Sequence, residues 1–214
     1  MPPQEAITAP QFRQLLNSSQ FHEQLDNILL YSERTHGNAG FAVYQAAGEL
    51  MLSESVTGHG LQELTIGDDG YARPDLAATV HTHQPDINNA MTSGLLSPQD
   101  LRAHVLYDRV RPGIVTISAK QYGQDFEEDK FIVLHMARAA ADEPMELDSQ
   151  MSVLNGLDEV YPRIIPAWEE AMQEAGLVSA RARYTPAYFN KAEDTPKYRP
   201  GVANLTRQLF WGVR

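Results

Sequence analysis

Two histidines follow an apolar stretch with the spacing of paired metal ligands. His81 and His83 are separated by one residue, and the run Leu-Ala-Ala-Thr-Val precedes them. Successive side chains of a strand alternate between its faces, so both imidazoles lie on one face if this run is a strand. Two imidazoles on one face supply half of the ligands of a zinc site.

A helix start further along the chain supplies a third candidate ligand. Ser97 is a residue type preferred at a helix N-cap, and Pro98 suits the first helical position. This places Asp100 in the first turn, where its carboxylate can close the site from across the loop. Taken alone, Ser-Pro-Gln-Asp is most often only a helix start, and a His-x-His pair is more often two exposed histidines. The order of the two motifs favours a metal site of His81, His83 and Asp100.

The composition limits the class of protein. With 214 residues, the chain is long enough for one domain, or for one domain with a substantial extension. The net charge of -11 argues against nucleic acid as a partner, because phosphate binding needs a basic surface. The chain has no cysteine, so any metal must be held by nitrogen and oxygen atoms.

The sequence indicates no targeting or membrane segment. The N-terminus lacks a basic region followed by an apolar run, and no apolar stretch approaches the roughly 20 residues that span a bilayer. We therefore expect a soluble protein without a membrane partner, either cytoplasmic or exported without an ordinary signal peptide.

Apolar periodicity predicts the elements that position these residues. A lead of residues 1–19 precedes an amphipathic helix that ends near His36, and a second helix runs from Ser97 towards Arg109. This order predicts an α+β (α/β layered) domain of residues 20–140, with a mixed β-sheet flanked by the N-terminal helix and the Ser97 helix. The predicted strands are residues 40–46, 49–56, 61–66, 76–83, 113–119 and 131–135.

Residues 141–214 are predicted to form a helical extension and an arm, both packed on this domain. Apolar residues recur at helical spacing over residues 154–172, and Pro162 and Pro166 should kink or split this helix. The segment from Arg181 mixes aromatic, basic and proline residues, which we interpret as an ordered arm.

The two motifs together resemble those of the JAMM (MPN-type) zinc metalloproteases. That family has an upstream glutamate, then His-(Ser/Thr)-His, and then Ser-x-x-Asp. Here His81-Thr82-His83 and Ser97-Pro98-Gln99-Asp100 match in type and order, closest to bacterial members that read His-Thr-His and Ser-Pro-x-Asp. The resemblance covers roughly residues 20–137 and implies a JAMM/MPN-like fold.

The resemblance also implies a mechanism. Zinc held by His81, His83 and Asp100 lowers the pKa of its water toward ~7. A glutamate takes the proton of that water and passes it to the leaving amine. Ser97 donates a hydrogen bond to the developing oxyanion.

The glutamate is where this sequence departs from the family pattern. Asn38 stands where the family places it, just before the strand predicted at residues 40–46. Glu33, at the end of the first helix, is our first candidate for the base, and Glu54, on the second strand, is our second. Without a carboxylate base the metal can still bind, but turnover falls by about 10²–10⁴-fold.

The leading hypothesis is a zinc-dependent metallopeptidase or isopeptidase that hydrolyses an amide bond of a peptide or protein, with ubiquitin-like proteins among the candidate substrates. A catalytically inactive JAMM-like binding scaffold is the alternative, and Asn38 favours it. A metal-dependent phosphoesterase is a third hypothesis, disfavoured because few further His and Asp ligands are available for a multi-metal cluster. The loop of residues 84–96 is predicted to form a flap at the substrate entrance, because it is long and lacks regular structure.

Overall fold

The computed structural model describes residues 6–67, 70–83, 94–122, 131–140, 145–160, 165–187 and 197–201. Within these residues, no helix is long and apolar enough to cross a membrane. In chain order, the elements are α1 (Ala9–Leu16), α2 (Ser19–Thr35), β1 (Ala39–Ala46), β2 (Glu49–Leu52), β3 (Val56–Thr57), α3 (Gly60–Thr65), β4 (Leu76–Thr82), α4 (Pro98–Val110), β5 (Val115–Tyr122), β6 (Phe131–Ala139), α5 (Leu147–Val160), α6 (Ile165–Glu174), β7 (Leu177–Ala187) and β8 (Lys197–Gly201).

The described strands form one mixed sheet of eight strands. Its order is β2-β1-β4-β5-β6-β7-β8, and the short β3 pairs with the start of β1. β4 and β5 are parallel, whereas the other pairs are antiparallel. Because α4 connects the two parallel strands, its N-terminus lies near the C-terminal end of β4. The predicted α+β class with a mixed sheet and flanking helices is confirmed.

The two faces of the sheet carry different side chains. Along β4, Ala78 and Val80 belong to an apolar core that includes Phe21 of α2. Strand alternation directs Thr79 and His81 to the opposite face. A second core on that side joins α4, α5 and α6, through Leu101, Val105, Leu154, Leu157, Trp168 and Met172. One sheet face is thus sealed by apolar packing, and the other is available for chemistry at its edge.

The strands predicted at residues 40–46 and 49–56 form a hairpin, in which the second strand is shorter than predicted. Its turn, Ala47-Gly48, has φ values of 52 and 83 degrees. Two consecutive residues at positive φ form a type I′ turn, whose twist suits a two-residue hairpin. β2 ends at Leu52, and the chain returns as β3 to pair with the beginning of β1.

The prediction of a strand at residues 61–66 is wrong, because Gly60–Thr65 form the helix α3. Leu61 and Leu64 are three residues apart, a spacing that places both on one side of a helix but not of a strand. The helix packs against β1. It therefore brings its side chains to the same end of the sheet as His81.

The chain after residue 140 first forms two helices, as predicted. α5 ends at Val160 and α6 begins at Ile165, so the predicted split of this helical segment is confirmed. Pro166 is the second residue of α6, a position where a missing N–H removes no helical hydrogen bond.

The described part of the segment predicted as an arm, residues 181–187 and 197–201, belongs to the strands β7 and β8 of the sheet. β7 pairs with β6 from Leu177 to Tyr184. Tyr184 is 1% exposed, and its hydroxyl donates a hydrogen bond to the carbonyl of Leu16 in α1 at 3.1 Å. The predicted N-terminal lead and the predicted extension therefore meet in the same core.

Candidate metal centre

The imidazoles of His81 and His83 lie side by side at the C-terminal end of β4. Their Nε2 atoms are 3.0 Å apart, and their ring centroids are 5.0 Å apart with planes at 27 degrees. Thr82, between them, faces the other way. Its hydroxyl accepts from the N–H of Ala39 at 3.1 Å and contacts that residue's carbonyl at 3.3 Å. The predicted alternation is confirmed, and Thr82 ties this strand end to β1.

Asp100 reaches the histidine pair from the first turn of α4. Ser97 is the N-cap of that helix, and its side chain accepts a hydrogen bond from the N–H of Asp100 at 3.1 Å. In return, Oδ2 of Asp100 accepts from the N–H and the hydroxyl of Ser97, each at 2.7 Å. This reciprocal capping box fixes the orientation of the carboxylate. Its Oδ1 lies 3.3 Å from Nε2 of His81, and its Oδ2 lies 3.0 Å from Nε2 of His83.

Two neutral histidines cannot form hydrogen bonds at all three contacts, which are the one between the two Nε2 atoms and the one from each Nε2 to Asp100. A contact between Nε2 and a carboxylate oxygen needs a proton on the nitrogen, and this holds for both rings. The contact between the two Nε2 atoms needs one nitrogen without a proton. A single cation among the two nitrogens and the carboxylate removes the conflict, because each nitrogen and a carboxylate oxygen can then offer it a lone pair.

The distances also fit a small metal ion. Zinc bonded at about 2.0–2.2 Å in tetrahedral geometry places neighbouring ligand atoms roughly 3.3 Å apart. The two Nε2 atoms here are 3.0 Å apart, and the nearest carboxylate oxygens of Asp100 lie 3.3 Å from His81 (Oδ1) and 3.0 Å from His83 (Oδ2). His81, His83 and Asp100 could therefore hold a metal ion with three protein ligands.

The group is partly buried rather than enclosed. The side chains of His81, His83 and Asp100 are 13%, 17% and 22% exposed. Burial acts to raise the pKa of Asp100, but the charges of the two histidines and the hydrogen bonds with them outweigh it and hold that pKa well below its usual range. Asp100 is thus ionised near neutral pH, which is the form that binds a metal.

A cavity of about 350 Å³ adjoins the centre, and its wall includes His81 and Asp100. Side chains from the start of β1, from α3, from α4 and from the central strands complete it. Its remaining polar wall residues are Asn38, Gln62, Thr65, Thr79, Thr82, Gln99, His104, Tyr107 and Thr116. Apart from His81 and Asp100, the described wall offers hydrogen-bonding groups but no Asp, Glu, Lys or Arg side chain. Such a wall suits an uncharged polar ligand, since a buried charge would lack a partner.

His104 and Tyr107 are wall residues that the sequence motifs do not indicate. His104 is fully buried, its Nδ1 lies 2.9 Å from the hydroxyl oxygen of Thr116, and burial lowers its pKa to about 4. The hydroxyl of Tyr107 lies 3.3 Å from that of Thr65. Helical spacing from Asp100 is the sequence signal that could have indicated them, because residues 100, 104 and 107 share one face of a helix.

The structure does not bring either candidate base into this cavity. Glu33 is exposed near the end of α2, and Glu54 is exposed between β2 and β3. Asn38 lies on the wall, at the position where the resemblance expects a glutamate. Among the described residues of the wall, Asp100 is the only carboxylate.

Ser97 lies at the centre, as predicted, but its hydroxyl is engaged. That hydroxyl donates its proton to Asp100 at 2.7 Å and accepts from the N–H of the same residue. In the structure it orients the carboxylate of Asp100 towards the two histidines. To donate a hydrogen bond to an oxyanion, as predicted, the Ser97 hydroxyl must first break its hydrogen bond to Asp100.

The predicted flap lies mostly outside the described residues, which omit residues 84–93. The described end of this loop, Gly94 to Leu96, is buried, and Leu95 and Leu96 belong to the second core. This end is therefore part of the folded structure that leads into α4.

No family of known proteins matches the chain, and no curated protein sequence matches it significantly.

Proposed function

We propose that this protein is a zinc-dependent hydrolase of peptide or protein amide bonds, of the type that the JAMM resemblance implies. The observation that carries the proposal is the convergence of His81, His83 and Asp100 at the edge of a cavity. Three protein ligands with partial exposure are characteristic of catalytic zinc, which keeps one position open, whereas structural zinc has four protein ligands.

The donor set agrees with zinc chemistry. Two imidazole nitrogens and one carboxylate oxygen are ligands that zinc accepts in catalytic sites. Within the described chain, these residues form the one cluster of this kind, which fits a single ion better than a two-metal phosphoesterase. When bound, zinc would polarise the scissile carbonyl and supply a nucleophilic water at neutral pH.

The remaining steps fall to the residues of this chain. Ser97 keeps the carboxylate of Asp100 turned towards the histidines through its two hydrogen bonds. Asn38, Gln62 and Tyr107 offer hydrogen bonds to the polar backbone of a peptide in the cavity. The uncharged wall therefore supports an amide substrate over a phosphate ester, whose charge would call for basic residues.

Proton transfer requires a base, for which Glu33 is the first candidate and Glu54 the second. The hydroxyl of Ser32 donates a hydrogen bond to the carbonyl of His83 at 3.4 Å. This contact holds the end of α2 beside the centre, one residue from Glu33. The carboxylate of Glu33 is exposed, so its side chain is free to change rotamer when a substrate binds.

An inactive binding scaffold is the second candidate function. Asn38 supports it, because an amide lines the cavity where a carboxylate is expected and cannot accept a proton at neutral pH. Such a protein would keep the metal and the cavity but bind its peptide without cleaving it.

An assay of amide hydrolysis separates the two functions. Protein loaded with zinc is incubated with a peptide library and with ubiquitin-like isopeptide conjugates, and cleavage is followed by mass spectrometry. The hydrolase proposal expects cleavage that a chelator stops, that added zinc restores, and that His81→Ala with His83→Ala lacks. Zinc-loaded protein that retains peptides uncleaved would support the scaffold.

A further inference from the structure

Four polar residues lie side by side across strands β4 to β7, on the sheet face that carries the metal centre. His81 is opposite Ser118 in the register of β4 and β5. Ser118 is opposite His135 of β6, which in turn is opposite Arg181 of β7. Because neighbours in register share a face, this row runs from a proposed metal ligand through two buried residues to the partly exposed Arg181.

The two middle residues of the row hold the chain that leads into α4. The hydroxyl of Ser118 donates a hydrogen bond to the carbonyl of Gly94 at 2.8 Å. The N–H of Leu96 donates to Nδ1 of His135 at 3.0 Å. Both side chains are fully buried. The residue after Leu96 is Ser97, the cap that orients Asp100.

We propose that Ser118 and His135 are positioning residues of the metal centre, and that they set Asp100 relative to His81 by fixing residues 94–96. This inference rests on the proposed function, because it takes His81, His83 and Asp100 as metal ligands. The strand that holds His81 is paired with the strand that holds Ser118. The strand β5 therefore holds both halves of the centre: it pairs with the strand that carries the histidines, and its Ser118 binds the chain that leads into α4.

The chemistry of His135 explains why a histidine occupies this position. Its Nδ1 accepts a proton from a backbone N–H, so the neutral ring must carry its own proton on Nε2. Burial, with the nearby charges of Arg181 and His83, lowers the pKa of His135 to about 3. The ring is therefore a fixed acceptor at neutral pH. Asparagine can place an oxygen close to the position of Nδ1, whereas leucine cannot accept a hydrogen bond.

The test measures zinc affinity by competition with a chromophoric chelator. Ser118→Ala and His135→Leu should weaken zinc binding by about 10–100-fold, the usual effect of residues that orient a metal ligand. His135→Asn should stay within about threefold of wild type because it restores the acceptor. The matched control is Tyr184→Phe, which also removes one buried hydroxyl-to-carbonyl bond, on the other sheet face, and should bind zinc like wild type.

A second readout keeps the inference separate from the proposed function. Amide hydrogen exchange at Ser97 and Asp100 should speed up at least tenfold in Ser118→Ala, while exchange at Gln11, in the capping box of α1, stays unchanged. If wild type binds no zinc, the proposed function fails. The hydrogen exchange of Ser97 and Asp100 in Ser118→Ala then still tests whether Ser118 positions Asp100. Unchanged exchange at Ser97 and Asp100 in folded Ser118→Ala overturns the inference whatever the zinc affinity. In zinc-binding protein, wild-type affinity in Ser118→Ala overturns it as well, even if His135→Leu fails to fold.

Discussion

The Nε2 atoms of His81 and His83 lie 3.0 Å apart, and a carboxylate oxygen of Asp100 approaches each of them within 3.3 Å. Strand alternation produces the first relationship, and the cap of α4 produces the second. Neither element alone makes a site. The parallel connection from β4 through α4 to β5 brings the two together at one end of the sheet.

The Ser97 hydroxyl can be tested against a matched cap elsewhere in the chain. Ser97→Ala should cost about 1 kcal/mol of stability and weaken zinc binding by about 10–100-fold, since it removes a helix cap and frees the carboxylate of Asp100. Thr8 forms the same capping box with Gln11 at the start of α1. Thr8→Ala should cost a similar stability with unchanged zinc affinity. Equal zinc affinity in the two variants would show that the cap does not orient the ligand.

The identity of the base is tested by three substitutions in zinc-loaded protein. Glu33→Gln should lower amide hydrolysis by about 10²–10⁴-fold with zinc content and melting temperature unchanged, because it removes the proton acceptor. Glu54→Gln should retain activity. Full activity in Glu33→Gln would contradict this assignment. If wild type is inactive and Asn38→Glu gains activity, the natural protein is a binding scaffold.

Stability should fall as the pH is lowered from about 6.5 towards 4. Burial lowers the pKa of His104 to about 4 and that of His135 to about 3, so both rings are neutral in the folded chain. The unfolded chain takes up these protons below about pH 6.5, and uptake in the unfolded state alone favours unfolding. For His104 the loss reaches roughly 3 kcal/mol at pH 4.

Urea unfolding of metal-free protein between pH 7.5 and 4.5 measures this dependence. His135→Asn should show a shallower fall than wild type, because it removes one of the two titrating rings. A free energy of unfolding that stays constant over this range would contradict the burial of the two histidines.

The sequence predicted the parts of the site that follow from local rules. His81 and His83 share a face because of their spacing, and Ser97 caps α4 because of its type and the proline after it. Long-range pairing could not be predicted in the same way. The partnership of His135 with Leu96 spans 39 positions, and neither residue belongs to a motif.

The errors in the fold also have physical causes. In residues 61–66, Leu61 and Leu64 have helical spacing whereas Leu64 and Ile66 have strand spacing, so an apolar pattern this short fits both structures. The residues of β7 from Arg181 onward do not show a clean alternation of apolar and polar side chains, so the sequence does not predict a strand there. Pairing with β6 buries side chains of β7 such as Ala182 and Tyr184, and this long-range pairing cannot be predicted from the local sequence.

The molecule should not fold when the chain is cut after the predicted domain. A chain that ends at Ala140 loses β7 and the helices α5 and α6. The first core, which contains Leu134 and Met136, then lacks Tyr184, and the second core, which contains Leu101, lacks the apolar side chains of α5 and α6. We expect no cooperative thermal transition in its circular dichroism. A cooperative transition with retained zinc binding would show that residues 1–140 fold and bind zinc without the C-terminal extension.

Zinc binding by wild-type protein is the most direct test of the metal centre. Protein prepared without chelator is dialysed against a small excess of zinc, and the bound metal is measured by elemental analysis beside His81→Ala with His83→Ala. The convergence of His81, His83 and Asp100 predicts about one zinc per chain in wild type, and none in the double variant. Wild type that retains no zinc, or a double variant that retains as much as wild type, would contradict the proposed centre.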